Sequence, residues 1–292
     1  MLESVWEWIL LLIILISIFS LVGIIYALNH AKKVIRKDIK FDLNIGKKPC
    51  RFVFISDLHL NMKLVPWNNI YDIIVDANPQ YVFVGGDLSS TLESVPLAHD
   101  FMAELAKRID VPIYVIFGNH DNNLFNEKKV GKNFITHQGY ATSLENLSGN
   151  IHVLHNEIID LGDIMLAGLE DYRTCQVNIS ELSLKWSEEA EGRDKPLVLL
   201  THNPDSVRHM CENADKMKNV AVISGHTHGG QIKTPFNIEY TLIRHDVLPK
   251  EGIAYGMHNY KGINLYISSG LGCSALPMRY KSTAEVVVVE VI

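Results

Sequence analysis

The chain has 292 residues, a length that one α/β domain of roughly 200 to 250 residues and an additional N-terminal segment would account for. Its 27 Lys and Arg residues against 33 Asp and Glu residues give a formal net charge of −6, which excludes a diffuse basic field for nucleic acid. The four cysteines lie far apart and form no CxxC pair, which argues against a disulfide framework or zinc ribbon and favours a reducing compartment.

The first predicted element is a membrane-spanning helix. Residues 8–29 contain no charged side chain and are mostly Ile and Leu. As a helix they would reach about 33 Å, enough to cross a bilayer core of about 30 Å. Glu3 and Glu7 precede this run, whereas a cleavable signal peptide carries basic residues there. The sequence therefore predicts an uncleaved, single-pass anchor over residues 1–29.

The residues after the anchor predict its orientation. Lys32, Lys33, Arg36 and Lys37 follow the apolar run, and positive charge marks the cytoplasmic side of a span. We therefore expect a protein of the cell membrane whose catalytic domain lies in the cytoplasm. Residues 30–49 are polar and basic and end in Gly-Lys-Lys-Pro, which predicts a linker ahead of a domain over residues 50–292.

Five short apolar runs predict the core strands of this domain. They are rich in β-branched and aromatic residues, as buried strands are, and cover residues 51–55, 81–84, 113–117, 197–200 and 220–223. Helical patterns lie between many of them, which indicates an α/β domain. Two further strands near the C-terminus, residues 264–268 and 285–292, indicate a second sheet. Residues 122–150 have too weak a periodicity for an assignment.

Each predicted core strand ends in a polar cluster. The clusters are Ser56-Asp57-Leu58-His59, Gly85-Gly86-Asp87, Gly118-Asn119-His120-Asp121, Thr201-His202-Asn203-Pro204 and Gly225-His226-Thr227-His228-Gly229-Gly230. Loops beyond the carboxyl ends of the strands form the ligand crevice of α/β sheets. We therefore expect the five clusters to meet at one site.

The side chains in these clusters predict a two-metal centre. Carboxylates, an amide and imidazoles together form a mixed oxygen and nitrogen shell, which suits Mn, Fe, Zn or Ni better than Ca. The potential ligands are too numerous for one ion. If Asp87 bridges, the set would hold two ions about 3.5 to 4 Å apart, the spacing used for displacement at phosphorus.

In this order the motifs resemble those of the calcineurin-like metallophosphoesterases, over residues 50–292. Residues 225–231 and 269–279 resemble the membrane-associated bacterial branch, which includes YkuE- and YaeI-type phosphoesterases and a UDP-2,3-diacylglucosamine hydrolase. The resemblance implies an α/β fold in which two sheets pack as an αββα sandwich. It also implies hydrolysis of phosphate esters by a metal-activated hydroxide, with two divalent ions as cofactors, Mn before Fe, Zn, Ni or Mg.

The resemblance also assigns roles by position. One ion is held by Asp57, His59, Asp87 and His228, and the other by Asp87, Asn119, His202 and His226. His120 is left without a metal, and as an imidazole it is suited to contact the phosphoryl oxygens or to protonate the leaving group. The backbone amides of Gly229 and Gly230 are candidate substrate contacts, although these glycines equally suit a tight turn. Arg279 is a further candidate, since arginine binds phosphate with two hydrogen bonds, and its alternative is a solvated surface residue.

One position departs from the family pattern. Many members have a second Asp three residues after the Gly-Asp aspartate, where it orients the catalytic histidine, and this chain has Ser90. Three alternatives stay open: Asp121 replaces that carboxylate, Glu93 replaces it, or His120 is held less strictly and turnover is lower.

The leading function is a bimetallic hydrolase of phosphate esters at the membrane surface. A narrower alternative is a pyrophosphate hydrolase of a lipid-linked nucleotide such as UDP-2,3-diacylglucosamine, in lipid A biosynthesis. A third alternative is a non-enzymatic membrane scaffold, against which the complete ligand set argues. No specific nucleic-acid binding is expected, and no oligomeric state is predicted.

The other histidines are interpreted as structural: His30, His99, His137, His152, His155, His209, His245 and His258. A metal shared by His152 and His155 is not expected, because on a strand they would face opposite sides.

Overall fold

A computed structural model describes residues 2–43, 49–62, 64–174, 177–234, 238–240 and 244–292. Its strands are β1 (Val34–Phe41), β2 (Cys50–Ile55), β3 (Tyr81–Val84), β4 (Ile113–Val115), β5 (Ile151–Val153), β6 (Glu157–Asp160), β7 (Met165–Leu169), β8 (Leu197–Thr201), β9 (Val220–Ser224), β10 (Gly256–Tyr260), β11 (Ile263–Ile267) and β12 (Ala284–Val291). Its α-helices are α1 (Leu2–His30), α2 (Trp67–Ala77), α3 (Val95–Arg108), α4 (Asn119–Leu124), α5 (Glu127–Val130), α6 (His137–Glu145), α7 (Ile179–Gly192) and α8 (Ser206–Met210).

The strands form two mixed six-stranded sheets. The first has the order β1-β12-β2-β3-β4-β5 and the second the order β10-β11-β9-β8-β7-β6. In the first sheet β2 to β5 are mutually parallel, and in the second β7, β8, β9 and β11 are. The carboxyl ends of the strands that precede the five polar clusters therefore lie at one edge of each sheet.

The two sheets pack face to face, with helices outside. Along β2, Phe52 and Phe54 point into the core between the sheets, where they join Leu200 and Ile223 of the second sheet. Val53, the residue between them, points to the opposite face, as the two-residue period of a strand requires. Helices α2, α3 and α6 cover that outer face of the first sheet, and α7 and α8 cover the second. The predicted αββα sandwich is confirmed.

The predicted linker over residues 30–49 is wrong for Val34–Phe41. This segment is β1, which pairs in parallel with β12 along its whole length, and Phe41 is buried in the core between the sheets. Four of the eight residues of β1 are charged, Arg36, Lys37, Asp38 and Lys40, as the exposed positions of an edge strand allow, and this hides its strand character. Residues 44–48 of the predicted linker lie outside the described residues.

The structure also assigns residues 122–150 and the two predicted C-terminal strands. Residues 122–150, which the sequence left unassigned, contain the end of α4 and the short helices α5 and α6. The two predicted C-terminal strands are present as β11 and β12, but only β11 joins the second sheet. β12 lies between β1 and β2 in the first sheet.

Helix α1 extends away from the sandwich. Val5–His30 is long and apolar enough to cross a membrane, with a mean hydropathy of 3.0, a property that spans share with signal sequences. Among residues 5–30 the last turns contact the domain, where Ala27 is buried and its carbonyl accepts from the backbone N–H of Arg279 at 3.1 Å. The apolar stretch of the helix before Ala27 is exposed, as an element that lies in lipid would be.

Candidate metal centre

The five polar clusters meet at the edge where their strands end, as expected from the sequence. Several of their residues have a positive φ, which residues other than glycine rarely adopt: Asp57 (53°), His59 (41°), Asp87 (55°), His226 (69°) and His228 (53°). Backbone strain of this kind persists where the surrounding structure fixes it, and it concentrates at functional sites.

Gly118 allows the backbone after β4 to lie very close to the side chains of Asp87 and His202. A Cβ atom on Gly118 would lie 2.2 Å from Asp87 Oδ1 and 2.7 Å from His202 Cε1. The position therefore has no room for a side chain, and only glycine allows the loop after β4 to pack against Asp87.

The first group of ligands consists of Asp57, His59 and His228. All three are buried, and their potential ligand atoms lie within 4.8 Å of one another. His59 Nε2 is 3.1 Å from His228 Nε2, which in turn is 3.6 Å from Asp57 Oδ1. One ion could contact all three side chains.

The second group is centred on His202. Its Nε2 lies 3.2 Å from Asp87 Oδ2, 3.1 Å from Asn119 Oδ1 and 3.2 Å from His226 Nδ1. Asp87 Oδ2 is also 3.5 Å from His59 Nε2, so this carboxylate lies between the two groups. That is the position a bridging ligand needs.

The hydrogen bonds of His202 test whether a cation fits. Its Nδ1 is 2.8 Å from the carbonyl oxygen of Gly85, to which it can only donate. In the neutral ring Nε2 then carries a lone pair, yet it faces the oxygen atoms of Asp87 and Asn119. Acceptors that face acceptors need a cation between them. Although burial lowers the pKa of His202, Asp87 raises it to about 10, so the same environment attracts either a proton or a metal ion.

Two other histidines are in the form that binds metals. Burial lowers the pKa of His59 to about 3, and it lowers that of His226 to about 3 as well. Both rings are therefore neutral near pH 7, and neutral imidazole is the common protein ligand of transition metals.

The outward nitrogen atoms of these rings are also held. Ser90 Oγ lies 2.7 Å from His59 Nδ1, and Asp246 Oδ1 lies 3.1 Å from His226 Nε2. Partners of this kind fix the ring orientation and tautomer of metal ligands.

Asp246 is a residue that the sequence analysis missed. It is buried and accepts hydrogen bonds from Arg173 and, at 2.9 Å, from Arg244. Burial raises the pKa of Asp246, but the hydrogen bond of His226 and the charge of Arg244 outweigh this and hold the pKa well below its usual range. No motif surrounds Asp246, so only the fold reveals that it faces His226.

Replacing Asp246 with Asn removes the negative charge behind His226. We expect the affinity for Mn²⁺ to fall by about 10- to 100-fold, the usual effect of losing such a partner. Titration of the metal-free protein with Mn²⁺ measures this, with the exposed Asp110→Asn as the control. An unchanged affinity in Asp246→Asn would show that Asp246 does not support the ligand.

His120 lies at the edge of the centre and is half-buried. Its ring packs edge-on against His59 with ring centres 4.9 Å apart, and its backbone N–H donates to Asp87 Oδ1 at 2.8 Å. The described residues provide no hydrogen bond to its ring. Of the three alternatives for the missing aspartate, the structure favours a less strictly held His120.

Neither Asp121 nor Glu93 forms a hydrogen bond with the ring of His120 in the described part of the chain. Asp121 accepts hydrogen bonds from the backbone N–H groups of Asp87, Ser89 and Gly118 at 2.7 to 3.0 Å, so it braces the loops that carry the ligands. Glu93 is exposed. Ser90 itself contacts the ring of His59 rather than that of His120.

One of the three predicted substrate contacts, Arg279, needs correction. Arg279 is fully buried, and its guanidinium donates to the backbone carbonyls of Ser269, Gly270 and Gly272. It therefore braces the loop behind Asp57 instead of binding a phosphate. The N–H groups of Gly229 and Gly230 donate within the turn, to Oγ1 and the carbonyl of Thr227, which supports the tight-turn interpretation. Gly230 nevertheless lines the cavity over the centre.

That cavity has a volume of about 320 Å³. Its polar lining includes Asp87, His120, His226 and His228 of the centre, together with Glu239 and Arg244. Its apolar side chains are Ile232, Ala275 and Leu276. It can therefore receive a phosphate group together with an apolar substituent.

Two sheets with clustered Asp and His residues at their strand ends define a metallophosphoesterase, and the chain belongs to the calcineurin-like phosphoesterase family, whose model matches residues 50–230. It is a metal-dependent phosphoesterase. The predicted superfamily and bacterial branch are confirmed.

Three bacterial relatives resemble most of the chain. Metallophosphoesterase YkoQ of Bacillus subtilis is 26% identical over 93% of this chain and 96% of its own length. Metallophosphoesterase YkuE of the same organism is 28% identical over 82% of this chain and 77% of its own. Phosphodiesterase YaeI of Escherichia coli is 25% identical over 84% of this chain and 83% of its own.

Proposed function

We propose that the chain is a two-metal phosphodiester and pyrophosphate hydrolase that acts on lipid-linked substrates at the membrane surface. The ions would be held by Asp57, His59, Asp87, Asn119, His202, His226 and His228. The observation that carries the metal assignment is the inward nitrogen of His202, which faces the oxygen atoms of Asp87 and Asn119. Mn²⁺ is the proposed metal, since the mixed oxygen and nitrogen shell suits it.

When bound, two divalent ions supply positive charge that polarises the phosphoryl group and lowers the pKa of water. The side chains of the centre would fix where the ions and the substrate lie. Asp87 keeps the two ligand groups at a fixed separation, and Asp121 braces the backbone that carries Asp87. His120 borders the cavity beside His59 and Asp87, where its ring can donate a proton to the leaving oxygen.

The link between the cavity and α1 supports a membrane substrate. Tyr280 packs edge-on against Tyr26 of α1 with ring centres 6.1 Å apart, and Thr283 Oγ1 lies 3.2 Å from His30 Nε2. The segment that carries Tyr280 also carries Leu276, which lines the cavity and is 49% exposed. The apolar side of the cavity is thus attached to the end of the proposed anchor, where acyl chains would be present.

The proposed anchor, residues 1–29, and the basic residues that follow it support a cytoplasmic position for the domain. A nucleotide linked to a lipid through pyrophosphate, such as UDP-2,3-diacylglucosamine, has both a phosphate group for the metal centre and apolar chains for the cavity. Its pyrophosphate matches the metal centre, and its acyl chains match the apolar side of the cavity.

Leu276→Glu separates recognition of the lipid from the chemistry. Contact with one leucine contributes about 1.5 to 3 kcal/mol, so we expect hydrolysis of UDP-2,3-diacylglucosamine in mixed micelles to fall by about 10- to 100-fold. Hydrolysis of soluble bis(p-nitrophenyl) phosphate, which has no acyl chains, should fall much less. Met257→Glu, which places the same charge at an exposed apolar position on β10, is the matched control.

The outcomes of this experiment distinguish the two parts of the proposal. If the wild-type protein hydrolyses the soluble diester and leaves the lipid-linked nucleotide intact, the lipid substrate is wrong and the phosphoesterase assignment stands. If it hydrolyses neither with Mn²⁺ present, the enzymatic proposal itself fails.

A further inference from the structure

A second cluster of metal-binding side chains lies outside the metal centre. His137 comes from the start of α6, His155 from the loop after β5, and Glu170 follows β7. Their potential ligand atoms all lie within 4.8 Å of one another. Glu170 Oε1 is 2.9 Å from His155 Nδ1 and 3.6 Å from His137 Nε2, and the two imidazole rings are 4.5 Å apart.

Contacts with neighbouring residues hold His137 and Glu170 in place, whereas the side chain of His155 is exposed. The ring of His137 lies edge-on against Phe117 and Phe125, with ring centres 4.9 and 5.1 Å apart. The second carboxylate oxygen of Glu170 accepts from Asn156 Nδ2 at 2.6 Å, and the backbone N–H of Glu170 donates to Asn156 Oδ1 at 3.0 Å. These hydrogen bonds orient the carboxylate so that Oε1 faces both histidines and stays available to a metal ion. Outer-shell partners orient metal ligands in this way.

The cluster also has space for a metal ion and its water ligands. It borders a surface cavity of about 680 Å³, which Asn122 and Asn126 line as well, so water can complete a coordination shell. Burial lowers the pKa of His137, and the neighbouring His155 lowers it further against the opposing effect of Glu170. The lowered pKa favours the neutral ring of His137, and neutral imidazole is a metal ligand.

We infer that His137, His155 and Glu170 form a binding site for a further divalent transition-metal ion, with Zn²⁺ as the expected occupant. Two imidazoles and one carboxylate are a known zinc shell that leaves a position for water. The ion cross-links three segments that are distant in the sequence. Because His137 packs on Phe117, next to Gly118 and Asn119, this cross-link braces the loop that brings Asn119 to the metal centre. The site is separate from the two proposed metal positions.

Metal content tests this site without reference to activity. The full chain is stripped with a chelator, loaded with Zn²⁺, freed of unbound ion and analysed for zinc per chain. We expect His155→Ala to bind one equivalent less than the wild-type protein, and Glu170→Gln to show the same loss. His152→Ala is the matched control, because His152 is an exposed histidine on the adjoining strand β5 and should keep the wild-type content.

Measuring the same variants in an Asp87→Asn background separates this site from the metal centre. There the zinc that remains should disappear with His155→Ala, and circular dichroism confirms that each variant is folded. Equal zinc contents in the wild-type protein, His155→Ala and Glu170→Gln would overturn the inference and leave the cluster as an ion pair. That result would not affect the proposed function, which depends on other residues.

Discussion

Asp87→Asn is expected to abolish most of the hydrolysis of bis(p-nitrophenyl) phosphate and to release metal from the centre. Asp87 Oδ2 lies 3.2 Å from His202 Nε2 and 3.5 Å from His59 Nε2, so an amide here weakens both ligand groups together. Ions at such a centre contribute several kcal/mol of transition-state stabilisation, which corresponds to a loss of about 10³-fold in turnover. Turnover and Mn²⁺ content of the purified variant measure the effect.

Asp110→Asn is the control for this substitution. Asp110 is exposed and belongs to neither ligand group of the centre, so its variant should keep the bound metal. Full diesterase activity in the Asp87→Asn protein would contradict the assignment of Asp87 as the shared ligand.

His120→Ala is expected to give the second large effect, with a different pattern. The ring borders the cavity and, in the proposed scheme, no ion depends on it, so turnover should fall by about 10²- to 10⁴-fold while the metal content stays at the wild-type value. That range is typical of the loss of a general acid or base. Turnover and metal analysis on the same sample distinguish this pattern from that of Asp87→Asn.

The exposed histidine variant His209→Ala is the control, and it should match the wild-type protein in both measurements. A loss of metal in His120→Ala would make His120 a ligand, and an unchanged turnover would remove it from the reaction.

The sequence alone predicted the core of the sandwich and the meeting of the five clusters. Both depend on local patterns: each core strand is a short run of β-branched and aromatic residues, and a polar cluster follows it directly. The rule that parallel strands bring their carboxyl ends to one edge then places Asp57 beside Asp87, because β2 and β3 are neighbours in the first sheet. His202 follows β8 of the second sheet, so its position beside Asp87 depends on how the two sheets pack.

Features that arise from contacts between distant segments were not predictable. Half of the residues of strand β1 are charged, and its sequence predicts a polar linker until its pairing with β12 is known. Asp246 stands in no motif, and its role depends on a contact with His226 that only the fold creates. In the same way, Arg279 carries a side chain suited to phosphate, but folding buries it among backbone carbonyls.

The metal dependence of the wild-type protein tests the central claim most directly. Purified protein is stripped with a chelator and titrated with Mn²⁺ while hydrolysis of bis(p-nitrophenyl) phosphate is followed. We predict that the stripped protein is inactive and that activity returns fully only when both positions of the centre are filled, as a two-metal mechanism requires. A stripped protein that hydrolyses the diester at its original rate would contradict this account.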